Sequence, residues 1–375
     1  MRILQLAPLW ESVPPPAYGG TEAVVSLLTD ELVRMGHDVT IAACGQSRTN
    51  ANMISVYHRS LRTADDLADR NPYDWQHVAT ALEHARDYDI IHNHAGELPM
   101  AMSALVDTPM LTTTHCLTTP DTAFIWNRYR GAYNAISGSQ LAHFECYAPP
   151  ARCMGYVYNA VDIDSFPFQE RKGEDLLFLS RISPEKGPHL AVEVAKRTGR
   201  RLIMAGKVDR ADRCFFEEVV RGLIDGEQIV FLGEADAVRK RELYRDAFCM
   251  LMPLTWEEPF GLVMAEAMAC GTPVVALSRG SAPEVVAHGT TGFVVDTIEE
   301  MADAIADVRT IDPHACRRHV RERFSPQSMT GAYVDVYERT IAEHAMIARP
   351  FVPQRIVVEP PAARSKPTHP IRTAS

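Results

Sequence analysis

The chain's patterning predicts an α/β protein built from two doubly wound, Rossmann-like lobes facing a central cleft. Three observations carry this expectation. Short apolar runs alternate with segments of helical apolar spacing. The alternation occurs twice, before and after a polar stretch with Pro and Gly at 161–175. The length, 375 residues, suits two domains of roughly 150 residues each.

The first series opens with RILQLA (2–7), which reads as a strand. A Pro-rich loop, WESVPPPAYGG (10–20), leads into TEAVVSLLTDELVRMG (21–36), where Val24, Val25, Leu28, Leu32 and Met35 recur at helical spacing. Thr21 is expected to cap that helix and Gly36 to close it in the left-handed conformation. DVTIAA (38–43) follows as a strand, and the strand–loop–helix–strand order implies a parallel sheet. DIIHNH (89–94), MLTTTH (110–115) and the shorter NAIS (134–137) and MGYVYN (154–159) extend it.

The second series runs DLLFLS (175–180), a helix within EKGPHLAVEVAKRTG (185–199), RLIMAG (201–206), a helix near 212–222 and QIVFLG (228–233). A helix near 237–246, CMLMPL (249–254), a helix over 260–270, TPVVAL (272–277) and GFVV (292–295) follow, then helices to about 345. The expected domains are 1–165 and 174–325. A helix at 326–348 is expected to pack back toward the first domain, and the Pro-rich 349–375 to be a disordered tail.

Composition narrows the function classes. The 38 basic and 48 acidic residues give a net charge of −10, which disfavours a nucleic-acid partner but leaves room for a local basic pocket. No run approaches the ~18 apolar residues of a membrane span. The opening MRILQLAPLWE turns polar too soon for a signal peptide. Eight scattered cysteines without Cys-x-x-Cys read as reduced core residues. A soluble, cytoplasmic protein is expected.

Four constellations sit just after strands, where open α/β sheets bind ligands. In EPFGLVMAEAMACGTPVVA (258–276), Pro259 suits a first helical turn, and Phe260, Gly261 and Leu262 would offer backbone N–H groups to an anion. Glu258 and Glu266 flank that start. In LSRISPEKGPHL (179–190), Arg181 after a strand and Lys186 at a helix start make a cationic pocket. Gly19 and Gly20 allow close approach of backbone to a ligand. His115, at a strand end, could bond a hydroxyl or carry a proton. There is no G-x-G-x-x-G or G-x-x-x-x-G-K-[ST] after a strand, which removes the main support for dinucleotide and P-loop chemistry. His92 and His94 share a strand face, but no third metal ligand is identifiable. Asp87 and Asp89, and Asp162 and Asp164, match a D-x-D pattern only at the level of three residues and read as structural.

The 258–276 segment resembles the E-x7-E signature of the family four glycosyltransferases, glycosyl transferases group 1, which have the GT-B fold. The Arg-x4-Lys-Gly of residues 181–187 and the Gly-Gly loop are similar to that family's as well, and NAVDIDSF (159–166) resembles its N-G-V-D-x-x-x-F stretch. The resemblance implies a retaining, metal-independent hexosyltransferase with no cofactor, using a nucleotide diphosphate sugar and an acceptor that is a small molecule, a glycan or lipid-linked. It implies Glu258 on the sugar hydroxyls, Glu266 on the ribose, and Arg181 and Lys186 on the diphosphate. Gly19 and Gly20 would face the phosphates and His115 would lie near the sugar. Glu284, in GSAPE, resembles a further family position. Alternatives are a nucleotide-sugar epimerase, a phosphorylase or a silent sugar-nucleotide-binding protein.

Overall fold

The computed structural model describes residues 1–16, 19–146 and 151–347. The tail expected at 349–375 lies outside them. The first lobe is a seven-stranded sheet of β1 (Arg2–Leu6), β2 (Asp38–Ala42), β3 (Asn52–Ile54), β4 (Ile90–Asn93), β5 (Met110–Thr113), β6 (Ala132–Ala135) and β7 (Arg152–Tyr156), ordered β3-β2-β1-β4-β5-β6-β7. The second has β8 (Leu176–Leu179), β9 (Leu202–Ala205), β10 (Ile229–Phe231), β11 (Cys249–Met252), β12 (Val274–Leu277) and β13 (Gly292–Val295), ordered β10-β9-β8-β11-β12-β13. Every pairing is parallel.

Parallel strands covered on both faces need apolar side chains on both, so β8, β11 and β12 read LLFL, CMLM and VVAL rather than alternating. The strand order reverses between β1 and β4 in the first sheet and between β8 and β11 in the second. Those switch points are where doubly wound sheets leave a crevice. The expected site residues cluster around them. Gly19 and Gly20 follow β1, His94 follows β4 and His115 follows β5, while Arg181 follows β8 and Glu258 follows β11.

The helix Pro326–Ile347 packs on the first lobe. Its Met329, Tyr333, Val336 and Tyr337 share a core with Ile3, Val24, Leu28 and Leu32. Among the described residues no helix is long and apolar enough to cross a membrane.

Several local expectations need correction. The helix Gly20–Arg34 starts with Gly19 as its cap and no side-chain cap, so Thr21 lies inside the first turn; Gly36 does turn left-handed, at φ 87°. β6 and β7 begin two residues before NAIS and MGYVYN, and β3 has no apolar pattern because it is a largely exposed edge of three residues. The 212–222 segment is not one regular helix: a π stretch, Phe216–Val220, joins the short helix Arg213–Phe215 to a 3-10 turn, Arg221–Leu223. All eight cysteines are free, but only Cys44, Cys249, Cys270 and Cys316 are buried; Cys116, Cys146, Cys153 and Cys214 are exposed.

Candidate active site

Lys186 does not open the long helix after β8. It ends a 3-10 turn, Pro184–Lys186, and Gly187 at φ 71° separates that turn from the helix Pro188–Thr198. A Cβ on Gly187 would stand 2.1 Å from the Pro253 carbonyl oxygen, so only glycine lets this turn press against the loop after β11. The Thr255 amide donates to the Glu185 carbonyl at 3.0 Å and ties the two loops together. The contact brings Lys186 Nζ onto Glu258 Oε2. The ammonium also lies 4.5 Å from the Trp256 ring centre, and the indole N–H of Trp256 donates to Glu258 Oε2 at 3.0 Å.

Glu258 is only 7% exposed. A carboxylate that far from water is tolerated because it is paired and hydrogen-bonded. Its backbone is held from the other side. The Ser281 amide donates to the Glu258 carbonyl at 2.8 Å, the Ser281 hydroxyl to the Phe260 carbonyl at 2.8 Å, and the Gly280 amide to Glu257 Oε2 at 2.7 Å.

The helix carrying Glu266 runs Leu262–Ala269, with Gly261 as its cap at φ 74°. It therefore starts two residues later than expected, and Pro259 lies outside its first turn. Left-handed Gly261 breaks the helical path between Glu258 and Glu266. The Phe260 side chain is buried in the core, leaving its backbone as the part that could meet a ligand. Glu266 accepts from Lys240 Nζ at 2.7 Å on Oε1 and from the Tyr244 hydroxyl at 2.8 Å on Oε2. Arg181 contacts Glu185 and lies 3.8 Å from both Asp209 and Asp212. Carboxylates from the next turn and from the loop after β9 thus hold the guanidinium.

The first lobe closes on this cluster. A Cβ on Gly20 would lie 3.2 Å from Leu262 Cδ1, so the Gly-Gly loop abuts the start of the Glu266 helix. Tyr18, in that loop, lies outside the described residues. Although Cys116 is exposed as a residue, desolvation of its sulfur pushes the thiol pKa up, and the charges of Glu97, Arg181, Glu258 and Lys186 all reach it. The end of β5, with His115, therefore faces the second lobe's charged residues. His115 Nε2 lies 3.1 Å from His94 Nδ1.

Burial depresses all three histidines here, His115 from 6.5 to about 4 and His92 and His94 well below 6.5. The unfolded chain binds their protons near 6.5 and the folded chain does not, so stability falls as pH drops from 6.5 toward 4. The His115 shift alone corresponds to about 3 kcal/mol. Burial raises Glu22 to about 7, and that acid acts oppositely, weakening the fold as pH rises from 4.5 to 7. We expect the histidines to dominate and denaturant midpoints to fall between pH 6.5 and 4. A midpoint that rose across this window would contradict the assignment of three neutral imidazoles, two buried and one, His115, half-buried.

Glu284 joins the lobes. From the second lobe it accepts the Gly138 amide at 2.8 Å and the Ser139 amide at 2.7 Å, at the start of the first-lobe helix Gly138–Glu145, and the Tyr158 hydroxyl at 3.0 Å. A carboxylate at a helix N-terminus is favourably placed. Glu284→Ala is expected to remove about 1–3 kcal/mol of inter-lobe attraction and to enlarge the radius of gyration in small-angle scattering. An unchanged scattering profile would show that the contact does not set the lobe arrangement.

One aspartate of each pair, Asp89 and Asp164, serves an ion pair. Asp89 binds Arg2 at 2.7 Å, and Asp164 lies 3.5 Å from Arg321 and 3.9 Å from Arg317. Among the described residues no cluster of three or more His, Cys, Asp or Glu is arranged to hold a metal ion. Sequence reasoning missed Trp256, Lys240, Tyr244, Asp209 and Asp212. Of these only Trp256, two residues before Glu258, left a local signal.

Two facing Rossmann-like lobes with charged residues converging at their switch points define the GT-B class. The chain belongs to its group 1 glycosyltransferases: residues 162–323 match the family described as glycosyl transferases group 1, and residues 18–165 match glycosyltransferase family 4. Among individual proteins, it is 32% identical over 223 residues to a D-inositol 3-phosphate glycosyltransferase of Mycobacteroides abscessus, covering 54% of this chain and 50% of that one. It is 25% identical over 365 residues to an N-acetyl-alpha-D-glucosaminyl L-malate synthase of Bacillus anthracis, covering 86% and 94%. The first of these matches spans about half of the curated relative's length. The crystal structure of AviGT4, a glycosyltransferase of avilamycin A biosynthesis, superposes with a TM-score of 0.70 at 25% identity, covering 92% of this chain and 99% of the other.

Proposed function

We propose that the protein moves a hexosyl group from a nucleotide diphosphate sugar to an acceptor hydroxyl, with retention and without a metal. The observation that carries this reading is the Lys186–Glu258–Trp256 cluster at the second lobe's switch point, with Glu266 held one helix away. A diphosphate leaving group gains negative charge as the glycosidic bond breaks. Lys186 and Arg181 supply fixed positive charge for it, which a metal ion supplies in other enzymes. Among the described residues both hydrogen-bond partners of the Glu258 carboxylate sit on Oε2, so Oε1 is the oxygen to receive sugar hydroxyls. Glu266 receives the ribose hydroxyls on the lone pairs that Lys240 and Tyr244 leave open. Leu262 and Gly20 close over the phosphates.

Among the described residues no side chain is placed as a nucleophile. The leaving phosphate takes the acceptor's proton on the face it departs from, and closure of the lobes excludes water. The relatives' names describe sugar transfer, which favours transfer over isomerisation or phosphorolysis. A panel of nucleotide sugars, screened by calorimetry and then for product with and without EDTA, tests the reading. We expect one donor to bind, EDTA to leave turnover unchanged, and the product's anomeric configuration to match the donor's. Isomerised sugar from donor alone, inverted product, or activity lost on chelation would overturn it.

A further inference from the structure

Behind His115 lies a chain of buried polar groups drawn from four strand ends and the C-terminal helix: Gln5, His92, His94, Thr113, Asn134 and Tyr337. Only one arrangement of protons satisfies it. Asn134 Nδ2 lies 3.0 Å from the Ala135 carbonyl, which can only accept, so that end is the amide nitrogen and Oδ1 faces Thr113 at 2.5 Å. The Thr113 hydroxyl therefore donates to Asn134. Its one proton is used, so His92 Nε2, 2.7 Å away, carries the N–H. Burial keeps the imidazole neutral. His92 Nδ1 is then bare and accepts the Tyr337 hydroxyl proton at 2.7 Å. Tyr337 can now only accept, so the Gln5 group 3.0 Å away is its NH2, and Gln5 Oε1 faces His94 Nε2 at 2.9 Å. His94 Nε2 must be N–H and its Nδ1 bare. At 3.1 Å, His115 Nε2–H donates to that Nδ1. His115 Nδ1 is left as a lone pair with no partner among the described residues.

We infer that Gln5, His92, His94 and Tyr337 are positioning residues that lock His115 as its Nε2–H tautomer, so that its Nδ1 accepts a hydrogen bond from a hydroxyl of the bound sugar. The inference rests on the proposed glycosyl transfer for the identity of that hydroxyl, but the tautomer follows from the protein alone. It makes His115 selective. A hydroxyl satisfies the lone pair, whereas a carbonyl, a carboxylate or fluorine in that place does not. It also makes the C-terminal helix part of the site through Tyr337.

The test uses the full chain with 15N-labelled histidine. Long-range proton–nitrogen correlation reads each tautomer, and His115→Asn assigns the His115 signals. The parent should show His115 with a protonated Nε2 and a bare Nδ1. His94→Asn leaves an acceptor oxygen where Nδ1 stood and should keep that tautomer and most of the turnover. His94→Leu should give a mixture of tautomers and cost about tenfold in kcat. A parent His115 that is mixed or protonated on Nδ1 overturns the inference, as does a folded His94→Leu with parental turnover. The parent spectrum decides the matter even where His94→Leu does not fold. A locked Nε2–H tautomer in a chain that turns over no nucleotide sugar would sink the glycosyl-transfer reading and leave the lock standing.

Discussion

Lys186→Ala and Glu258→Gln are each expected to lower kcat by about 10²–10³-fold, the scale of losing one fixed charge-stabilising group. Circular dichroism should still report a folded chain. The two variants fail for different reasons. Lys186→Ala removes a cation that offsets charge developing on the leaving diphosphate, and it leaves Glu258 with Trp256 as its remaining partner. Stability should fall as well, because removing one member of a poorly hydrated pair strands the other. Glu258→Gln keeps the shape and an acceptor for the Trp256 indole but removes the charge facing the sugar. Lys186 retains the Trp256 ring at 4.5 Å, so this variant should lose less stability. Steady-state kinetics on both, with the double variant, checks the assignment. A rise in KM at unchanged kcat would mean these groups bind ground state and transition state alike, and the proposed charge stabilisation would be wrong.

The residues that were legible in the sequence are those whose chemistry is locally compressed. Glu258 and Glu266 stand out because small and apolar residues surround them, and Ala265, Ala267, Ala269 and Cys270 prove to be core. Lys186 stands out through Gly187, whose left-handed turn the loop after β11 demands. The fold was legible for the same reason: parallel strands such as LLFL and VVAL must be apolar on both faces. What stayed hidden is carried by distance in sequence. Gln5 and Tyr337 are 332 positions apart, and Glu284 and Gly138 are 146 apart, so no spacing rule joins them. The helix start was misplaced because Pro259 is a plausible first-turn residue and the left-handed state of Gly261 leaves no mark in composition. Lys240 and Tyr244 read as ordinary positions of the helix near 237–246 until that helix is set beside Glu266.

Gly280→Ala should impair catalysis without touching a ligand. Gly280 sits at φ 56°, and a Cβ there would lie 2.1 Å from the Glu258 amide nitrogen and 2.4 Å from its carbonyl oxygen. Backbone cannot yield as a side-chain tip can, so the 257–260 loop must move, taking with it the carboxylate that Lys186 and Trp256 hold. A displacement near 1 Å at a reacting centre can cost on the order of 10²-fold in rate. The left-handed conformation adds about 1–3 kcal/mol of strain for a residue with a Cβ. Gly36→Ala separates the two effects. Gly36 is also left-handed, at φ 87°, but none of the described residues lies within 4 Å of where its Cβ would stand. Its variant should therefore show comparable strain in denaturant unfolding with parental kcat, whereas Gly280→Ala should lose both stability and rate. Parental turnover in Gly280→Ala would mean that the Gly280–Ser281 turn does not hold Glu258 in register, and that Lys186 and Trp256 suffice to place it.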